Sequence, residues 1–160
     1  MPLERTEFDR LVRDAGLDLA GITAAAPVAE AAAFESWAER GLAGGMGYLT
    51  DHRAKLRRDP RSIMPEARTV LVAAVLYNAP GPSGAAEGEG WVSRYAWNAV
   101  DYHDVLRGRL EALAAALKSA LGDFEYRVCV DTAPLLERAL ARQAGLGWIG
   151  GNTCLINQAQ

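Results

Sequence analysis

The run from Val130 to Thr153 constrains the fold of this chain more than any other stretch. A short apolar segment ends on a carboxylate, Val130-Asp131, and Pro134 follows three residues on. Proline has φ already set for a first helical turn, so the sequence predicts a helix from Pro134 to Ala144. A glycine-rich turn comes next, Gly145-Leu146-Gly147-Trp148-Ile149-Gly150, and Thr153 to Ile156 reads as a short strand. A strand that gives way to a helix in this manner can hold one acid, Asp131, at the mouth of a pocket. The spelling G-x-G-x-x-G suggests a dinucleotide site. That fingerprint works only after a strand and before a helix, where the helix N-terminus meets a pyrophosphate. Here a helix precedes it, so a nicotinamide dinucleotide site is rejected. Gly145 is instead expected as the helix C-cap.

The rest of the chain alternates helices and strands. Thr6 is expected to cap a helix with apolar positions Phe8, Leu11 and Val12, stopped by Gly16. Leu17 to Ile22 alternates like a strand, and Pro27 opens an alanine-rich helix that ends near Gly41. Gly44-Gly45-Met46-Gly47-Tyr48 is a turn of low bulk. Thr69 to Tyr77 is a continuous apolar run suited to the centre of a sheet. Composition makes 78–90 a flexible loop. Asp101 is the expected N-cap of the clearest helix, whose Leu106, Leu110, Leu113, Leu117 and Leu121 share one face before Gly122 stops it. Glu125 to Val130 reads as a further strand. The expected fold is α/β or α+β, a mixed sheet flanked by helices in a single domain spanning 1–160.

Composition limits the function classes. The longest apolar run, Val70 to Tyr77, is far short of the roughly 20 residues a membrane helix needs, so no membrane association is expected. The first residues lack the apolar core of a signal peptide. Two cysteines, Cys129 and Cys154, build no disulfide framework, and the expectation is a cytoplasmic protein with reduced thiols. A net charge of -3 argues against a surface that binds nucleic acid throughout. Between 51 and 68 the balance reverses: Arg53, Lys55, Arg57, Arg58, Arg61 and Arg68 outnumber Asp51, Asp59 and Glu66. Such a run can meet phosphates, though its commoner use is a solvated helix face.

Among the candidate site residues, Asp131 has two readings. The ordinary one is to cap or orient the helix start; the functional one is proton donation into a pocket, which requires a carboxyl pKa raised by apolar surroundings. Tyr102 and His103 fall in the first turn after Asp101. His52 and His103 are the only histidines, and neither has zinc-site spacing with the cysteines, so no protein-ligated metal is expected. Cys129 is expected as a small core residue. Trp91, Tyr95, Trp97 and Trp148 can line a broad flat ligand, but aromatics of this kind are more often core.

Taken in order, three motifs resemble the N-terminal half of the epoxyqueuosine reductases. Gly45-Met46-Gly47-Tyr48-Leu49 with Asp59-Pro60-Arg61 is the first, and Tyr95-Ala96 with Asp101-Tyr102-His103 is the second. The third joins Val130-Asp131-Thr132-Ala133-Pro134, Leu136-Glu137-Arg138, Ala144 to Gly150, and Asn152-Thr153. The resemblance implies a cobalamin-binding domain related to the flavin nitroreductases. It also implies an activity: reduction of the epoxide of epoxyqueuosine in tRNA to queuosine, with cobalamin supplying the electrons. By the same resemblance Asp131 is the general acid at the epoxide oxygen. Tyr102, His103, Gly145, Gly147, Trp148, Gly150 and Asn152 lie at the cofactor, with the glycine turn letting backbone approach the corrin.

The chain departs from that family in three places. The family carries a ferredoxin-like C-terminal segment with two 4Fe–4S clusters, which two cysteines cannot build. The expectation is therefore a truncated form, monomeric, that needs an external or C-terminal electron relay. Gly151 stands where the family has a lysine, and Asn98-Ala99-Val100 replaces a glycine-containing link. Two other readings remain at this stage: a non-enzymatic corrinoid-binding module and a flavin-binding nitroreductase relative.

Overall fold

The computed structural model describes residues 3–77, Gly84 and residues 87–158. Apart from Gly84 and 87–90, the loop expected over 78–90 lies outside the described residues.

The chain begins with α1 (Arg5–Asp14). Its N-cap is Glu4 rather than Thr6, which sits inside the helix. Ion pairs one turn apart, Arg5 with Asp9 and Arg10 with Asp14, add a modest local reason for helix here. Gly16, at φ 77, ends it: the Gly16 N–H donates to Arg13 O and the Leu17 N–H to Val12 O, closing the last turn. Strand β1 (Leu19–Ala24) follows, and then α2 (Ala31–Glu39), which starts four residues after Pro27.

Residues 47–62 form three short 3-10 turns, Gly47–Leu49, Lys55–Arg58 and Pro60–Ser62, and not the helix face expected of the basic stretch. Local bonds explain the turns. Asp51 and Asp59 each accept the backbone N–H two residues on and also pair with that residue's guanidinium, Arg53 and Arg61. Those bonds close tight turns and compete with continuous helix.

Strand β2 (Thr69–Ala74) pairs antiparallel with β1, Leu19 opposite Ala74 and Ala24 opposite Thr69. The expected strand to Tyr77 stops early because the Leu76 N–H turns to Asp18 Oδ2, 2.8 Å away. Side chains alternate across the pair. Leu71, Ala73 and Val75 meet the cluster of Phe8, Leu11, Val12, Leu17, Ala20, Leu113 and Leu117; Val70 and Val72 meet Val28, Ala139 and Leu140. The run is half-buried, with apolar cover on both faces, but β2 pairs along one edge only and is not the central strand expected of it.

Helix α3 (Tyr102–Leu121) lies against α1, with Leu113 and Leu117 buried and Gly122 at its end. Leu121, expected on the buried face, is half exposed because the helix outruns its partner. Glu125 to Val130 joins no strand. Side-chain bonds hold it instead: the Tyr126 hydroxyl donates to Glu111 and Arg127 Nη1 donates to Ile63 O. Helix α4 (Glu137–Gln143) starts three residues after Pro134, and β3 (Trp148–Ile149) pairs antiparallel with β4 (Leu155–Ile156).

The fold is α+β. The described strands pair antiparallel in twos, not in one mixed sheet, because two helix-backed ribbons use up the apolar segments. Among the described residues no helix is long and apolar enough to cross a membrane.

Candidate active site

Two local devices place the candidate residues. The first is the N-terminus of α3. Asp101 has extended backbone, and its Oδ1 accepts the His103 N–H at 2.9 Å, as expected of an N-cap. The same oxygen lies 2.8 Å from His103 Nδ1. The His103 N–H, followed by its ring, holds the Asp101 carboxyl below the usual carboxylate range. With that turn fixed, the Tyr102 and His103 rings stack, centroids 4.1 Å apart.

The second device is the bend at 130–134, where Asp131 adopts a left-handed backbone, φ 52. Asp131 therefore caps no helix; the N-cap of α4 is Leu136. The turned-out carboxylate reaches the start of α3. Its Oδ2 accepts a short hydrogen bond from the Tyr102 hydroxyl and lies 3.8 Å from His103 Nε2. Sharing its proton with Asp131 pushes the Tyr102 phenol up to about 12, so it remains a donor at any working pH. The Asp131 N–H donates to Glu137 Oε1 at 3.0 Å. Burial, reinforced by the charge of Asp131, pushes the Glu137 carboxyl up to about 7.

A mainly apolar cleft of about 220 Å³ opens beside this cluster, lined by residues that include Leu76, Tyr77, Tyr95, Val100, Tyr102 and Leu106. Tyr77 meets Tyr95 edge-on, and Tyr95 meets Tyr102 in the same way. Trp91, Tyr95, Val92 and Val100 are half exposed or more, so the aromatics of this segment are a rim and not a core. Trp97 stays half-buried, its Nε1 donating to Val92 O.

The structure brings Asp131, Tyr102 and His103 together and sets Gly145 apart from them. Gly145, at φ 78, terminates α4, its N–H bonded to Arg142 O and the Leu146 N–H to Ala141 O. It thus lies at the opposite end of α4 from Glu137. The motif does not stand between a strand and a helix, since α4 precedes it and β3 falls inside it. Gly147 and Gly150 face the returning strand: an added Cβ would fall 2.2 Å from Ile156 O at Gly147 and 2.6 Å from the Ile156 side chain at Gly150. Close packing within the ribbon accounts for both without a ligand. Trp148 is 44% exposed, and Asn152 Oδ1 accepts the Cys154 N–H. Cys129 is half-buried, with burial pushing its thiol up. Among the described residues no group of three or more His, Cys, Asp or Glu side chains could hold a metal ion.

Glu137 is the site residue that sequence reasoning left without a role. Its contact with Asp131 depends on a left-handed bend six residues upstream, and a glutamate at a helix start is too common to signal that.

Comparisons with known proteins converge. Residues 57–132 match the family described as Epoxyqueuosine reductase QueG, DUF1730. A protein of Xanthomonas campestris pv. campestris named epoxyqueuosine reductase is 40% identical over 153 residues, 92% of this chain and 42% of that one. The chain thus spans well under half the length of that relative. The structure of epoxyqueuosine reductase from Streptococcus thermophilus superposes with a TM-score of 0.82 at 27% identity, over 96% of this chain and 41% of that one. A crystal structure of epoxyqueuosine reductase with an epoxyqueuosine-modified tRNA-Tyr stem loop gives a TM-score of 0.70 at 27% identity, with the same coverage.

Proposed function

Because this chain is related by sequence and fold to the N-terminal part of the epoxyqueuosine reductases, we propose that it is the catalytic part of such an enzyme. The reaction is reduction of the epoxide of epoxyqueuosine in tRNA, in which the oxygen leaves as water at the cost of two electrons and two protons. The observation that carries this reading is the Asp131 carboxylate, bonded to the hydroxyl of Tyr102, whose ring lines an aromatic-rimmed cleft and whose phenol is too weak an acid to take its place.

Each residue has a task. Tyr102 occupies Asp131 Oδ2, so Oδ1 is the oxygen that carries the proton to the leaving epoxide oxygen. His103, fixed by Asp101, faces Oδ2 and supports the ionised form left after transfer. Tyr77, Tyr95 and Val100 present an apolar face that excludes water from the reacting bond.

Cobalamin, when bound, supplies the reducing electrons. The residues present fit it in one manner only. A cleft of about 220 Å³ cannot enclose a corrin, whereas the exposed rim of Trp91, Val92, Tyr95 and Val100 offers a broad apolar surface for a flat ring. Tyr102 and His103 lie beside that rim and would hold the group there, whereas Gly145, Gly147, Trp148, Gly150 and Asn152 would hold it on the family resemblance alone. We read the whole chain as one cobalamin-binding domain of nitroreductase-like kinship. It works in the cytoplasm on tRNA and receives electrons from an iron–sulfur relay in another segment or protein.

Asp131→Asn tests the assignment. In the longest natural form of the protein, with cobalamin, reductant and epoxyqueuosine tRNA, turnover should fall about a hundredfold or more, the range for a lost general acid. Cobalamin affinity, followed by the visible spectrum, should stay within about twofold, since the variant keeps the shape of the bend. Undiminished turnover would overturn the role of Asp131.

A further inference from the structure

Among the described residues two that are not glycine have left-handed backbones, Asp131 at φ 52 and Thr153 at φ 64. Such a conformation is unfavourable for a side-chain-bearing residue and persists only where its surroundings hold it. Both are held from the same place, the first two residues of α4. Glu137 Oε1 accepts the Asp131 N–H at 3.0 Å, and Arg138 Nη1 donates to Thr153 O at 2.6 Å and to its Oγ1 at 2.9 Å. The helix they belong to is itself anchored, with Ala139, Leu140 and Ala141 buried.

We propose that Glu137 is a positioning residue for Asp131: its carboxylate oxygen accepts the Asp131 N–H and pins the left-handed backbone that turns the Asp131 carboxylate toward Tyr102. This rests on Asp131 being the proton donor.

Glu137 is well placed to hold the bend. It starts a helix whose next residues, Ala139, Leu140 and Ala141, are buried, so its own backbone is fixed while the bend at 130–134 comes to it.

Amide hydrogen exchange of the 160-residue chain tests this without cofactor, tRNA or turnover. Glu137→Ala should speed exchange of the Asp131 amide by about fivefold to tenfold, as for one lost hydrogen bond, with the amides of Phe8 and Leu113 unchanged. Glu137→Gln keeps a carbonyl acceptor and should preserve the protection. Arg138→Ala should free the Thr153 loop and leave the Asp131 amide protected. An Asp131 amide indifferent to Glu137→Ala, or equally freed by Arg138→Ala, overturns the pin. These readouts stand or fall apart from the turnover of Asp131→Asn, so the failure of one reading is distinguishable from that of the other.

Discussion

On its α1 and α3 side, the β1–β2 ribbon is covered by large side chains, Phe8, Leu11, Leu113 and Leu117 among them. On the other side it is covered thinly, by Val28, Ala139 and Leu140, and at Gly21 backbone meets backbone. The first face supplies most of the apolar burial. The second supplies placement: the helix that rests there carries Glu137 and Arg138, and through them the Asp131 and Thr153 bends. Stability and geometry are thus divided between two faces of one small sheet. Removing bulk from the first face should threaten the fold, whereas adding bulk to the second should threaten the site.

The largest effect is expected at Leu113, 1% exposed. Leu113→Ala should cost about 2–5 kcal/mol of unfolding free energy in a denaturant titration, through lost transfer energy and a cavity. A loss well under 1 kcal/mol would break the contrast, because the thick face would then not be the load on which stability depends.

Gly21 sharpens it from the other side. A Cβ there would lie 2.3 Å from Ala144 O, at the end of α4, so backbone has to move. Gly21→Ala should cost about 1–3 kcal/mol and shift α4, so exchange at the Asp131 amide should rise as well. A stable variant with an undisturbed Asp131 amide would show that the thin face does not set the site.

The smallest effect is a pH slope. The folded value of Glu137, about 7, lies above its ordinary 4.5, so the folded chain binds that proton more tightly than the unfolded chain does. Its contribution to stability is complete below the ordinary value and is lost as pH rises through 7. Unfolding free energy measured across that window should decline in the wild type relative to Glu137→Gln. Parallel curves would mean that burial at Glu137 is too slight to matter.

The features legible in the sequence are those whose causes are local. Asp101 as a cap, the leucine repeat of α3 with Gly122 at its end, and the stops at Gly16 and Gly145 each depend on a few neighbouring residues, and each stands where it was expected. The same cap placed Tyr102 and His103 in the first turn, while their place in a site came only from the family resemblance. The misreadings involve partners far along the chain. Glu125 to Val130 has the alternation of a strand, but alternation does not report whether another edge lies alongside. Pro134 can start a helix, but here it sits in a bend, and α4 waits for Glu137. Asp131 was visible as a candidate acid. Its left-handed backbone was not, since aspartate visits that region more readily than most residues but in only a minority of cases, and here the Glu137 bond holds it.

The adjacency of Glu137 and Arg138 has a mechanical side. Successive residues on an α-helix point about 100° apart, so one short helix can grip two loops that approach it from different directions. Such a helix works as a shared axle. Lengthening the 132–136 linker by one residue would carry Asp131 off its grip, while α4, anchored by Ala139, Leu140 and Ala141, would keep its hold on Thr153. Tolerance to insertion should therefore be low at that linker, even though Asp131 and Thr132 at its start are exposed.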